Sequence, residues 1–324
     1  MDTRIAAALF ALAAAVCFLL PETSIAESDG LCDAADAGTH ALAGTLGKAK
    51  ARGTIIIGYR LGSVPFSYQN SAHQPTGYAK ELCDMVVNAI KDEFGLPQLK
   101  IVYQPITSPN RIPMLRNGSI DLECSTTTIT PEREKVVDFS IPYFISNARL
   151  LTRKAYRIRD LSDLANKIIV FTAGTTAEKT IAKKLDIKRN NITVLEGKTH
   201  TDSFLMIRTG RAAAYIIDDT LLAGLITSAR DPNAYEIVGP SLSSEHYAIV
   251  MRKENSPLKA AVNRALARII ASGEIRELYD RWFMRPIPPS GGNMNLPMSE
   301  ELSQFFARLP DAGDAPASER DAQP

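Results

Sequence analysis

The 324-residue chain has little with which to hold a metal or build a covalent framework: four cysteines, four histidines and a single tryptophan. It contains no CxxC pair and no Cys/His cluster at zinc-ligand spacing, which excludes the usual structural zinc modules. Neither sign of charge dominates, with 37 Lys+Arg against 36 Asp+Glu. A near-neutral chain lacks the basic field that nucleic-acid binding requires, so no nucleic-acid partner is expected. Long apolar runs are scarce as well. The run from Ile5 to Leu20 is shorter than the roughly 20 residues of a spanning helix, and no later segment is apolar over that length.

What is present begins at that run. Arg4 precedes it and Ser24-Ile25-Ala26, a small-x-small ending, follows, which predicts a cleaved signal peptide over residues 1–26 and an exported mature chain. Cys17 follows Val16, where a lipidated cysteine would follow a small residue, so it reads as part of the discarded run. Without Asp2, Arg4 and Glu22 the mature chain carries 36 basic against 34 acidic residues. Its cysteines are Cys32, Cys83 and Cys124, and outside the cytoplasm one disulfide plus an odd thiol is the natural arithmetic. Roughly 300 mature residues exceed what one core serves, so two compact units are expected.

Residues 27–43 read as a flexible lead-in, with folded structure starting near Gly44. Thr54-Ile-Ile-Ile-Gly58 is a β-branched run bounded by glycines and predicts a buried strand. Leu82, Met85, Val86, Ala89 and Ile90 then recur at helical spacing up to Gly95-Leu96-Pro97. Further strands are expected at 101–103, 120–124, 168–171 and 214–217, an alternation that argues for α/β architecture with mainly parallel sheets. Ser256-Pro257 reads as an N-cap and first helical position, opening an apolar stripe that runs from Leu258 to Ile270. Residues 286–309 form an extension ending in a short amphipathic helix, and 310–324 a polar tail expected to be disordered.

Three segments carry a family pattern: Gly58-Tyr-Arg60 with Ser63-Val-Pro-Phe-Ser-Tyr68; Ile129-Thr-Pro-Glu-Arg133 running into Asp138-Phe-Ser-Ile-Pro-Tyr143; and Ala173-Gly-Thr-Thr176. They resemble the amino-acid-binding proteins of bacterial ABC importers. Ile106-Thr-Ser-Pro-Asn-Arg-Ile-Pro113, Asp121-Leu-Glu-Cys124, Ile216-Ile-Asp-Asp219 and Pro286-Ile-Pro-Pro289 with Asn293-Met-Asn295 look like the glutamate/aspartate-binding subgroup. The resemblance implies a type II periplasmic-binding-protein fold, a two-lobed flytrap crossed twice by the chain. Lobe 1 would hold 44–149 plus 247–285 and lobe 2 residues 150–246, with Ser146 to Arg153 and His246 to Arg252 as the crossovers. It also implies a monomer in the periplasm that takes glutamate or aspartate, uses no cofactor and hands its ligand to a membrane permease.

By the same resemblance, Arg133 grips the ligand α-carboxylate. The chemistry suits it, because a planar guanidinium takes a carboxylate bidentately while the hydroxyls of Thr126 and Thr128 complete a cradle. Thr176 would share that carboxylate at a helix N-terminus, and Asp218, acceptor-only at a strand end, would take the α-ammonium group. Arg60, Ser108, Arg111 and His200 would surround a second, side-chain carboxylate. Two arginines there would be poorly compensated by a neutral side chain such as that of glutamine or asparagine. Taken singly, each of these is an ordinary residue type; the surrounding motifs raise them. Asp219 reads as a turn or helix-cap residue.

Cys83 shares a helical stripe with Val86, Val87 and Ile90, and Cys124 alternates with Ile120 and Leu122, so both face the lobe 1 core. A disulfide between them is expected, with two buried free thiols as the alternative. The same fold hosts periplasmic dehydratases of the cyclohexadienyl type and cell-wall lytic enzymes, and fold alone does not decide function. The residues singled out are accounted for by two carboxylates and one ammonium, with no spare acid/base pair to make an enzyme.

Overall fold

The computed structural model describes residues 44–253 and 257–309. The signal peptide, Cys32, the tail and Ser256 lie outside the described residues. In chain order the main elements are α1 (Gly44–Arg52), β1 (Thr54–Arg60), α2 (Tyr78–Glu93), β2 (Lys100–Ile106), α3 (Arg111–Arg116), β3 (Leu122–Glu123), α4 (Pro131–Glu134), β4 (Val137–Phe139) and β5 (Phe144–Arg153). They continue with β6 (Ile168–Thr172), β7 (Thr193–Gly197), α5 (His200–Arg208), β8 (Ala214–Asp218), α6 (Asp219–Thr227), β9 (Tyr235–Tyr247), β10 (Val250–Arg252), α7 (Pro257–Ala271), α8 (Glu274–Tyr279) and α9 (Glu300–Arg308).

Two five-stranded sheets organise two lobes. The first has strand order β2-β1-β3-β10-β4 and the second β7-β6-β8-β5-β9. Ile55 and Ile57 of β1 are fully buried against the Leu82, Val86 and Ile90 stripe of α2, and Ile169 and Val170 of β6 fill the second core. The sheets are mixed rather than mainly parallel. In each, two strand pairs run parallel, while β10 in the first and β5 in the second are antiparallel to both neighbours. The reason is connectivity: β5 and β10 carry the chain from one lobe into the other and so enter their sheets from the opposite end. The first passage also precedes residue 149, because β5 is paired with the second sheet from Phe144 onward.

Phe144 and Tyr247, paired across β5 and β9, sit in an aromatic cluster with Phe66, Tyr78, Tyr279 and Phe283, whose ring centroids lie 4.3–6.3 Å apart. Such pairs add to plain area burial and make the base of the passage between lobes stiff. The extension folds back on this base: Tyr68 Oη donates to the Pro288 carbonyl (2.6 Å), and Leu302 and Phe306 of α9 are buried. Cys83 of α2 and Cys124, just after β3, are joined in a disulfide with Cα atoms 6.2 Å apart. This bridge ties α2 to the loop that carries Thr126 and Thr128.

The lobes touch where glycine allows it. A Cβ at Gly224 of α6 would lie 2.2 Å from the Val64 carbonyl oxygen, and one at Gly174 would lie 2.9 Å from the backbone nitrogen of Pro109. Gly174 has φ +74°, the left-handed region that favours glycine. Side chains at these positions would hold the lobes apart.

Candidate ligand-binding site

The cleft collects the C-terminal ends of parallel strands and the N-termini of helices, the usual place for ligands in open α/β sheets. Arg60 ends β1, Ser108 follows β2, Arg111 opens α3, and Thr126 and Thr128 follow β3. From the second lobe come Thr176, after β6, His200, which opens α5, and Asp218, which ends β8. Ser108, Arg111, Thr126, Thr128, Thr176, His200 and Asp218 line one tight cavity, together with Thr175, Ile217 and Leu221. Its clear space, about 10 Å³, is room for about one water. An amino acid can therefore enter only if the lobes part. Arg60 and Arg133 stand behind this lining, buried to 3% and 8% exposure.

Three guanidiniums converge on this cleft. Burial pushes Arg60 down to about 9, with Arg111 as the next cause, and does the same to Arg133. Arg111 is itself lowered by burial, while Glu123 and Asp218 oppose the shift. Arg111 depresses both other arginines, which places it centrally. Against these three cations stand three buried acids: Glu123, Asp218 and Glu245.

His200 is held neutral, its pKa lowered well below the usual value first by burial and then by Arg60 and Arg111. Its Nε2 is 3.5 Å from Arg60 Nη2, and its Nδ1 lies 3.0 Å from Tyr215 Oη and 3.1 Å from Thr172 Oγ1. A guanidinium can only donate, so Nε2 presents its lone pair and Nδ1 carries the proton. Arg133 Nη1 donates to the Thr128 carbonyl (2.7 Å), fixing the arginine under the Thr126–Thr128 loop. Thr130 caps α4, the short helix that carries Arg133.

Asp218 accepts a short hydrogen bond from Tyr247 Oη through Oδ2. Burial raises its carboxyl well above the ordinary range, and Glu245 adds to the rise. Asp219, its neighbour, accepts instead from Ser146 Oγ (2.8 Å) and so pins α6 to β5. Among buried side-chain atoms without a partner are Arg60 Nη1, Ser108 Oγ, Arg111 Nε and Asp218 Oδ1. Three of these can donate, and the carboxylate oxygen can only accept. No cluster able to hold a metal occurs among the described residues.

Sequence reasoning left out several residues that shape this site. Glu123 is fully buried, accepts from Ser125 Oγ and opposes the lowering of all three arginines. Its signal was available: Leu122 and Cys124 face the core, so strand alternation turns Glu123 the other way. Tyr215 and Thr172, which orient His200, lie in apolar runs whose strand face is not legible without the partner strand. Glu245 and Tyr247 lie on one face of β9, in a segment with no motif of its own.

A profile of the bacterial extracellular solute-binding proteins, family 3, matches residues 55–285. An L-glutamate/L-aspartate-binding protein of Pseudomonas aeruginosa is 43% identical over 267 residues, covering 82% of this chain and 88% of the relative. A glutamate/aspartate import solute-binding protein of Escherichia coli is 39% identical over 283 residues, 87% of this chain and 93% of that one. Among solved structures, an ancestral amino acid-binding protein described as a precursor of cyclohexadienyl dehydratase superposes with a TM-score of 0.64. It shares 30% identity and covers 74% of this chain and 99% of its own. The chain belongs to the bacterial extracellular solute-binding proteins, family 3.

Proposed function

We propose that this protein is a periplasmic receptor that closes two lobes around glutamate or aspartate and delivers it, unchanged, to an ABC-type importer permease. The names of the relatives support the ligand class and the import role. The observation that carries the reading is the set of buried, partnerless polar atoms in the cleft: donors on Arg60, Ser108 and Arg111, and an acceptor on Asp218. An acidic amino acid supplies the complement, carboxylate oxygens for the donors and an ammonium for the acceptor. Arg133, Thr126, Thr128 and Thr176 then take the α-carboxylate, and Arg60, Ser108 and Arg111 the side-chain carboxylate, while His200, whose Nε2 accepts from Arg60, orients that arginine rather than bonding the carboxylate. A neutral amide such as glutamine fills the same shape but offers no charge to the guanidiniums of Arg60 and Arg111.

Binding without turnover is part of this reading, which the import roles in the relatives' names support. One titration panel of the twenty amino acids, by calorimetry on protein freed of carried-over ligand, tests the reading. Heat from glutamate and aspartate well ahead of glutamine and asparagine is expected. A preference for neutral or basic amino acids would overturn it.

A further inference from the structure

Glu245 lies on β9, opposite Ser146 of β5, and is 3% exposed. Its Oε2 accepts from Thr128 Oγ1 at 2.7 Å and from Thr176 Oγ1 at 2.8 Å, while Oε1 accepts from Ser243 Oγ. Thr128 follows β3 of the first lobe, and Thr176 follows β6 of the second. One carboxylate oxygen therefore holds two hydroxyls: that of Thr176, from its own lobe, and that of Thr128, whose backbone is bridged to Tyr247 where the chain passes between the lobes.

A threonine hydroxyl has one proton to give. Both of these protons go to Glu245, so neither hydroxyl can also donate to a ligand carboxylate. What the two threonines still offer an α-carboxylate is backbone N–H, and at Thr176 the chain enters a helical turn whose first N–H groups favour an anion. Glu245 also sits close enough to Arg133 to oppose the lowering of its pKa.

We propose that Glu245 is a positioning residue, a latch on the two loops of the site: its carboxylate fixes Thr128 and Thr176 through their hydroxyls, so that their backbone amides meet the ligand. This rests on the reading of the cleft as an amino-acid site. Because the latch does not touch the ligand side chain, it acts alike on every ligand the protein takes. Its loss leaves the bound ligand less firmly held, so departure speeds up more than arrival slows.

The test is a double-mutant cycle on the full mature protein with E245A, E245Q, T176V and the pairs E245A/T176V and E245Q/T176V. Glutamate and glutamine are titrated by calorimetry, and release is followed by stopped-flow. E245A should weaken both ligands by at least about tenfold, mainly through faster release, because a charged hydrogen-bond acceptor shared by two donors is lost. E245Q should recover part of the loss, since an amide oxygen also accepts two hydroxyls, and T176V should add nothing once residue 245 is alanine. If E245A does not fold, judged by thermal melting, the E245Q/T176V cycle carries the same comparison. Wild-type affinity in E245A, additive losses in the cycle, or a loss confined to glutamate would overturn the latch. Tighter binding by E245A would also overturn it, making Glu245 a competitor for the cradle. A wild-type protein that bound no amino acid would remove the reading of the site and the latch with it, whereas normal wild-type binding with unaffected variants removes the latch alone.

Discussion

Arg60 offers the cleanest separation of general amino-acid binding from acidic specificity. Its backbone is held by Ser67, whose Oγ accepts the Arg60 N–H at 2.9 Å, so the strand does not depend on the side chain. The guanidinium has one long contact, 3.5 Å to His200, and its Nη1 has no partner. Changing Arg60→Gln therefore costs the protein one long hydrogen bond and part of the positive charge facing Glu123. What it removes is a charge-assisted bond to a side-chain carboxylate, worth about 1.5–3 kcal/mol, which converts to roughly ten- to hundredfold in the affinity for glutamate. Glutamine gives up no ion pair. The variant also relieves the crowding of Arg60 against Arg111 that helps push Arg60 down to about 9, so glutamine should bind as well as before or better. Calorimetry in one buffer, on protein freed of carried-over ligand, reads the ratio of the two affinities directly. Equal losses for glutamate and glutamine would place Arg60 outside the side-chain pocket and refute the charge argument.

Truncating Arg133→Ala should weaken every amino acid by at least ~1.5–3 kcal/mol, because the α-carboxylate is common to all; calorimetry showing wild-type affinity for glutamate would contradict the assignment. Gly174→Val places a Cβ against Pro109 only when the lobes meet and strains a left-handed backbone. Its expected signature is weaker binding of all ligands alike, alongside a modest fall in melting temperature from about 1–2 kcal/mol of strain; a variant with normal affinity would mean closure tolerates a wider gap. Asp218→Asn should weaken glutamate and glutamine alike by about 1.5–3 kcal/mol, because the acceptor offered to the α-ammonium group loses its charge; wild-type affinity by calorimetry would contradict that assignment.

The parts of this molecule that could be read in advance are those whose signal is local. The isoleucines of β1, the Leu82–Ile90 stripe and the Gly-Thr-Thr turn after β6 each announce an element and its end, and cleft residues of such folds sit at element ends. Strand direction was not legible. That β5 and β10 run against their neighbours follows from where the chain passes between lobes, which no single window contains. The 13-residue strand β9 was equally hidden. Gly239, Pro240 and several serines argue against a strand there, and only pairing with β5, with an irregularity between Val238 and Ser243, makes it one. Tertiary pairing overrode local preference, and with it went any sign of Glu245. Glu123 failed for a different reason. An acid inside an apolar strand reads as an oddity until three arginines from elsewhere in the first lobe face it.

On the proposed reading of the cleft, the buried groups that recognise the ligand also explain why closure waits for it. Apart, the lobes leave the arginines and Asp218 open to water, where every polar atom is satisfied. Together, they bury Arg60 Nη1, Ser108 Oγ, Arg111 Nε and Asp218 Oδ1 with no protein partner. Each such atom costs about 1–3 kcal/mol, more where it is charged, so closing without ligand carries a penalty on the order of several kcal/mol. The contacts at Gly224 and Gly174 offset part of it. An acidic amino acid meets these atoms at once, and this differential contact is what a population shift requires. Glutamine satisfies the same hydrogen bonds but brings no charge for the second guanidinium, so it recovers less of the penalty. Specificity and closure thus draw on one set of atoms. A substitution that frees those atoms of their need for a partner should loosen both together: the arginine variants that admit glutamine should also close more readily without any ligand. Small-angle scattering of Arg60→Gln without ligand, compared with wild type, would show this as the more compact particle.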